Sequence, residues 1–93
     1  MAYKLIDPQE VLDYGIDWTG FLAEVQPADS ITLSSWSITP AGPVLFSDSV
    51  TGDVSRVFVA GASNGTLYQL TNRITTSQGR TAERSITLRC ENR

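Results

Sequence analysis

This chain of 93 residues has no histidine, one lysine (Lys4) and one cysteine (Cys90). Each scarcity removes a chemistry. Without histidine there is no Ser-His-Asp or Cys-His nucleophile and no imidazole to move protons near neutral pH. Lys4 sits close to the first residue, a poor setting for a Schiff-base amine. Cys90 has no partner for an internal disulfide. With no histidine beside it to lower its pKa, it reads as a small buried hydrophobe. Apolar runs are only a few residues long, far below the roughly 20 that cross a bilayer. The opening "MAYKLIDPQE" has no basic patch ahead of an apolar segment, so no secretory signal is expected. There is no phosphate-binding "GxxxxGK[ST]" and no dinucleotide fingerprint; "GASNG" lacks the spacing and the strand-to-helix setting.

What is present suits one small globular domain. Hydrophobic residues make up 41% and charged residues 18%. A chain of this length can bury roughly 60–65% of its unfolded surface, a real but thin core. The net charge of −3 disfavours nucleic acid and anionic membranes as partners. The charge is unevenly spread. Residues 1–55 carry eight acids against Lys4, whereas residues 56–93 carry six arginines against Glu83 and Glu91. Either the two halves interleave and neutralise each other, or an acidic and a basic face dock onto neighbouring subunits. Arginine suits such interfaces because its guanidinium pairs in a bidentate way.

Along the chain, "DPQE" (Asp7–Glu10) is a helix-start signal, with Asp7 as cap and Glu10 in capping-box position. Gly15 and the β-forming residues around it limit the helix to about one turn, or leave an N-terminal arm over residues 1–14. Residues 15–93 then form the folded domain. Ile16, Trp18, Phe21 and Leu22 read as a short strand or a plug of large apolar groups. In "SITLSSWSITP" the alternation of Ile31 and Leu33 falls out of phase with that of Trp36 and Ile38. Either a bulge near Ser34-Ser35 absorbs the slip or the strand bends there into two halves. "PAGP" breaks the strand. "VLFSDSV" and "SRVFVAGA" are further strands, the second apolar enough to be central. Asn64-Gly65 in "SNGT" signals a hairpin turn.

Tyr68, Leu70, Asn72, Ile74 and Thr76 recur at a spacing of two, as do Ile86, Leu88 and Cys90. The polar "SQGRTAER" lies between them, so this is a long hairpin with alternate residues facing inward. Its arginines then line the wet side, with Arg80 and Arg84 in or beside the loop. About seven short strands with regular turns predict an all-β fold, an immunoglobulin-like β-sandwich. Trp36 and Tyr68 belong near its core with their polar atoms paired. Tyr68, entering a strand after a glycine turn, suits the tyrosine corner of such folds.

Candidate chemistry is sparse. Asp13 and Asp17 flank Tyr14 and precede Trp18, superficially like a carboxylate pair of a sugar hydrolase. Aspartates here more commonly accept backbone N–H bonds in turns. "SDSVTGD" (Ser47–Asp53) resembles a calcium loop only loosely. No catalytic, metal or cofactor residues are assigned, and the chain is expected not to be an enzyme.

The segments "DPQEVLDYGIDWTGFLA", "DSITLSSW" and "YQLTNRITTSQGRTAERSITLRC" resemble a family of short structural proteins of tailed bacteriophages. The shared pattern is Asp-Tyr, Asp-Trp, Asp-x-Ile-x-x-Ser-x-Trp and a terminal Tyr-x-x-x-Asn-x-Ile/Val-x-Thr-x-x-Gly-Arg-x-x-x-Arg-Ser hairpin. The match runs from about Asp7 to Cys90, and the hairpin is its most specific part. The chain departs at "FLAEVQPADS", where the family has a shorter turn. The resemblance implies an immunoglobulin-like virion component, assembled in the host cytoplasm, with no catalytic residues. It implies other virion proteins as partners, the major capsid protein or tail and connector subunits, in a homo-oligomeric array. The leading expectation is a multi-copy decoration or cement protein on the assembled head. The alternative is a tail, baseplate or head-tail connector component. A third reading is a carbohydrate-binding adsorption module, which needs Tyr14, Trp18 and Trp36 exposed in a row. Tyr3, Leu5, Ile6, Arg80 and Arg84 are the candidate interface residues, although the first three would equally pack back onto their own domain.

Overall fold

Residues 3–92 are described by a computed structural model. The strands are β1 (Lys4–Ile6), β2 (Leu12–Asp17), β3 (Ile31–Thr39), β4 (Val44–Thr51), β5 (Val54–Ala60), β6 (Leu67–Thr76) and β7 (Thr81–Cys90), with one helical turn, α1 (Thr19–Leu22). They form two sheets, ordered β1-β7-β6-β3 and β2-β5-β4. All pairings are antiparallel except β1 with β7. The fold is an all-β sandwich, as the spacing of apolar residues predicts.

The long hairpin follows the alternation closely. Tyr68, Leu70, Asn72, Ile74 and Thr76 are all buried, and across from them Leu88 and Cys90 are buried while Ile86 is half-buried. Gly79 supplies the positive φ that the connecting loop needs, at 83°. β5 is central in its sheet and buries Ser55, Val57 and Val59 against the facing sheet. The core has two lobes. One gathers Ile6, Tyr14, Val57, Val59, Tyr68, Leu70, Leu88 and Cys90. The other holds Ile16, Trp18, Leu22 and Ile74, with Phe21 packed against it. The expected apolar plug is therefore real, and its last turn is α1.

Several expectations need correction. Residues 3–14, placed in the expected N-terminal arm, include β1 and the start of β2, two strands of the sandwich. β1 pairs with β7 from Lys4↔Leu88 to Ile6↔Cys90, and β2 pairs with β5 in the other sheet. The helix-start signal makes a single turn: Asp7 N–H donates to Glu10 Oε1 (2.7 Å) and Gln9 N–H to Asp7 Oδ1 (2.9 Å). Gly15 sits inside β2 rather than at a helix end. A Cβ there would come 3.1 Å from Arg56 Cγ, so the glycine lets Arg56 lie across the strand.

The bulge in β3 exists, but between Ile31 and Leu33, two residues earlier than the phase slip suggests. Asn64-Gly65 does not close a hairpin, because β5 and β6 belong to different sheets. Positive φ occurs at Gly65 (81°) and not at Asn64, the pattern of a type II turn. That turn is anchored to the end of β7 by Gly65 N–H to Cys90 O (2.9 Å) and Cys90 N–H to Thr66 O (3.0 Å).

Candidate functional site

Two buried polar networks account for the chemistry-bearing side chains. The first crosses between the sheets. Trp18 Nε1–H donates to Asn72 Oδ1 (2.8 Å), and Asn72 Nδ2 donates to Ser34 Oγ and to Ser35 O (both 2.9 Å). Ser34 and Ser55 share a hydroxyl bond of 2.6 Å, and Trp36 Nε1–H donates to Ser55 Oγ (3.1 Å). Among the described residues no buried side-chain polar atom is left without a partner. Burial of Asn72 and Ser55 is thus compensated bond by bond.

The second network surrounds Asp29, whose side chain is fully enclosed. Its Oδ1 accepts from Ser30 N–H, Gln78 N–H (3.0 Å each) and Ser77 Oγ–H (2.8 Å). Its Oδ2 accepts from Arg80 Nε–H (3.1 Å). Burial disfavours the charged carboxylate. The hydrogen bonds from Thr76, Ser77, Arg80 and Ser30 outweigh that cost and hold its pKa well below the ordinary 3.8. Arg80 also donates to Phe21 O (2.9 Å) and lies 4.0 Å over the Phe21 ring. The β6–β7 loop is thereby clamped onto α1 and the segment leading to β3.

The arginines are therefore not uniformly on the wet side. Arg73 and Arg89 are exposed and form ion pairs with Glu83 (3.1 Å) and Glu91 (2.6 Å). Arg84 lies opposite Asn72, on the inward face of β7, and covers the Trp18 ring at 4.5 Å. Arg80 has 26% of its side chain exposed and is spent within the domain. Of the remaining candidate interface residues, Ile6 is fully buried, while Tyr3 and Leu5 stay exposed, with Arg89 5.8 Å over the Tyr3 ring. Arg84 is still exposed, and its register with Ile86 and Leu88 is what turns it over the Trp18 ring.

No site for catalysis assembles around Asp13 and Asp17. They stand four residues apart on one face of β2, roughly 13 Å along the strand, beyond the ~5–10 Å span of glycosidase carboxylate pairs. Asp13 faces Arg56 at 3.5 Å. Asp17 accepts from the Thr19 hydroxyl and amide, which lower its pKa. Both border an open groove of about 780 Å³ with Tyr3, Leu5, Tyr14 and Arg56. An aromatic platform for sugar is not formed either: Trp18 and Tyr14 are buried. Among the described residues no group of three or more acids, cysteines or histidines could hold a metal ion. Among the described residues no helix is long and apolar enough to cross a membrane.

The outer faces are unlike each other. On the four-stranded sheet, register sets Ser35, Arg73 and Glu83 in one row, Ser37, Thr71 and Ser85 in the next, and Thr39, Gln69 and Thr87 in a third. Thr71 and Ser85 share a hydroxyl bond of 2.9 Å. On the three-stranded sheet, Phe46 and Phe58 pair across β4 and β5 with ring centroids 5.6 Å apart. Val44 stands exposed two residues from Phe46, and Val11 is exposed just ahead of β2. Sequence reading missed this face, because Phe46 and Phe58 pass for core residues in two apolar strands. β4 is an edge strand exposed at all but one of its positions. After Phe46 it takes an extra residue at a bulge, where Ser47 has φ 52°.

Many residues of the shared phage pattern serve the interior, while Asp13, Gly79, Arg84 and Ser85 are exposed. Trp18, Asp29, Ser34, Trp36, Asn72, Thr76, Gly79, Arg80 and Arg84 build the two networks and their cover. Much of the pattern is thus a folding signature. No curated protein matches the chain. A family model described as podophage GP4 fiber-tail adaptor protein gp77 does match it, over residues 7–89. With most of its length matched, the chain belongs to this family and is a virion component.

Proposed function

We propose that this chain is a non-enzymatic joining part of a phage tail, seated between the tail and its fibers. The carrying observation is the contrast between the two outer faces. One carries a polar ladder of Ser, Thr and Gln between exposed Leu33 at one end and Leu5 and Leu67 at the other; the other carries a valine stripe centred on a stacked phenylalanine pair. A slab whose interior is filled and whose faces differ suits a part that joins two different neighbours. The family description supports this tail reading and lends nothing to head decoration, the leading expectation from sequence. The major capsid protein and a homo-oligomeric array likewise gain no support as partners. Buried Trp18 and Tyr14 count against the carbohydrate module.

An immunoglobulin-like reading of the sandwich is supported by strand order. β7-β6-β3 and β2-β5-β4 correspond to the GFC and BED sheets of that fold, with β1 added beside β7. The Tyr68 hydroxyl accepts from Ser63 N–H (2.9 Å), five residues upstream, as a tyrosine corner does.

The test is to separate heads from tails of purified particles and quantify the chain in each by mass spectrometry. It is expected with the tails, in a fixed ratio to the fiber protein. Recovery with the heads alone overturns the proposal.

A further inference from the structure

We infer that the free edge of β3 takes up an extended strand of another virion protein, with a lysine or arginine of that strand turned inward to Asp48. This rests on the tail-joint reading and names how one neighbour is held. β3 is an edge strand and runs opposite β6 without a break from Leu33 to Thr39. Open edges in native proteins are guarded by a charge, a proline or a bulge. The stretch "LSSWSIT", Leu33–Thr39, has none of the three. The edge of β4, by contrast, is interrupted by its bulge. Thr76 N–H donates to Arg80 O (2.8 Å), so by alternation the even residues of β6 bond to β7 and the odd ones to β3. The backbone N–H and C=O groups of Ser34, Trp36 and Ile38 therefore point out of the sheet, as a template for one more strand. In the correspondence drawn above, this is the edge where variable-type immunoglobulin domains carry further strands.

Concavities lie on both sides of this edge, where an added strand places its alternate side chains. The outer one, of about 250 Å³, has Leu33, Ser35, Arg73 and Thr75 in its lining. The inner one, of about 270 Å³, opens between β3 and β4, with Ser34, Trp36, Leu45, Val57 and Asp48 around it. The inner cleft selects the occupant. Asp48 is in no ion pair among the described residues. A strand seated on β3 turns the residues opposite Ser34 and Trp36 into this cleft and covers the carboxylate. Covering it without a counter-charge is costly. A lysine or arginine there meets Asp48 with its head and lays its stem along Trp36 and Leu45. The next residue of the added strand turns outward onto exposed Leu33 and is apolar. Two copies joined β3 to β3 would bring no cation, since Ile31–Thr39 has none, and would enclose two such carboxylates.

The experiment uses particles assembled with the full chain carrying a photoreactive benzoylphenylalanine in place of Leu33, beside the edge. A matching particle carries it in place of Leu67, exposed at the other end of the same face. If the first chain folds poorly, Ser35 takes the group instead. Irradiation is expected to join position 33 to a different virion protein, at a peptide containing lysine or arginine that position 67 does not capture. Adding Asp48→Lys, or the isosteric Asp48→Asn where the lysine chain folds poorly, should lower that yield about fivefold or more. Adding Gln69→Lys leaves it within about twofold. The captured peptide, synthesised and added to the purified chain, should slow exchange of the Ser34 and Trp36 amides about tenfold or more, and leave those of Ser35 and Ser37, already bonded to β6, within about twofold. Capture of a second copy of this chain, no capture at position 33 or 35, equal capture of the same peptide at position 67, indifference to the Asp48 variants, or unchanged Ser34 and Trp36 amides each overturn the inference. The functional reading is judged separately: capture of a head protein at position 33 keeps the strand addition and overturns the tail assignment.

Discussion

The indole N–H of Trp18 is held by the amide oxygen of Asn72 at 2.8 Å, a bond between two fully buried side chains 54 positions apart. It ties the helical turn after β2 to the middle of β6. Asn72 then passes the chain on to Ser34 and the Ser35 carbonyl. Asn72→Ala removes one residue and strands several polar partners in an apolar interior. The expected loss is about 3 kcal/mol of unfolding free energy, read from urea denaturation. Ser37→Ala, on the outer face of β3, should change it by less than about 0.5 kcal/mol. Equal effects of the two would mean that the network contributes nothing to stability.

Ile6 and Leu5 separate strand from arm. Ile6 is buried against Cys90 and the first core lobe, and Leu5 is exposed beside it. Ile6→Ala should cost about 3 kcal/mol, and Leu5→Ala less than about 1 kcal/mol. Thermal melting of the purified chain distinguishes them. A stability unchanged by Ile6→Ala would show that β1 is not held by its own domain.

The Asp29 clamp has a defined pH signature. Its folded pKa lies below the ordinary 3.8, so the folded state binds a proton there less readily than the unfolded state. The stabilisation is fully present above pH about 4 and is lost as pH falls through the lower folded value. Hydrogen exchange at the amides of Ser30 and Gln78 should therefore stay slow from pH 7 to about 4, after correction for intrinsic rates, and accelerate only below. Asp29→Asn should release both amides already at neutral pH and flatten the acid response. An acid response identical in the variant would remove Asp29 as its source.

Cys90 should be inert in the folded chain. It is fully enclosed, and burial, with Asp7 nearby, raises its thiol pKa. A thiol reagent at pH 8 should label it only as fast as the chain unfolds, and at the small-thiol rate in 6 M guanidinium. Rapid labelling of the native chain would contradict its place in the core.

Tyr68→Phe should cost about 1 kcal/mol, the loss of one acceptor for Ser63 N–H. Chemical denaturation reads it, and exchange of the Ser63 amide should quicken in parallel. Protection of that amide unchanged in Tyr68→Phe would show that the corner bond is not formed.

Much of this architecture is legible in the order of residues, because a sheet buries every second side chain. The hairpin from Tyr68 to Cys90 obeys that rule along both strands. β3 shows where the rule misleads. Leu33 is apolar and 68% exposed, while the polar Ser34 turns inward to bond Ser55 and Asn72. Counting apolar residues assigns both to the wrong side and shifts the bulge. Arg84 stays exposed, as its charge suggests, yet its register also lays it over Trp18. Asn64-Gly65 specifies a turn and not what the turn connects, which depends on Cys90 at the other end of the chain. The Phe46–Phe58 face is hidden from sequence by its own hydrophobicity.

Two greasy sheets pressed together would slip past one another by a pair of residues at modest cost, since oily contacts have no preferred direction. The Trp18–Asn72–Ser34–Ser55–Trp36 chain does have one, and it closes in a single alignment. It acts as a dowel driven through a laminate. In the proposed role, pulling on a fiber would load this domain sideways, and the dowel is the feature that keeps its two layers from shearing.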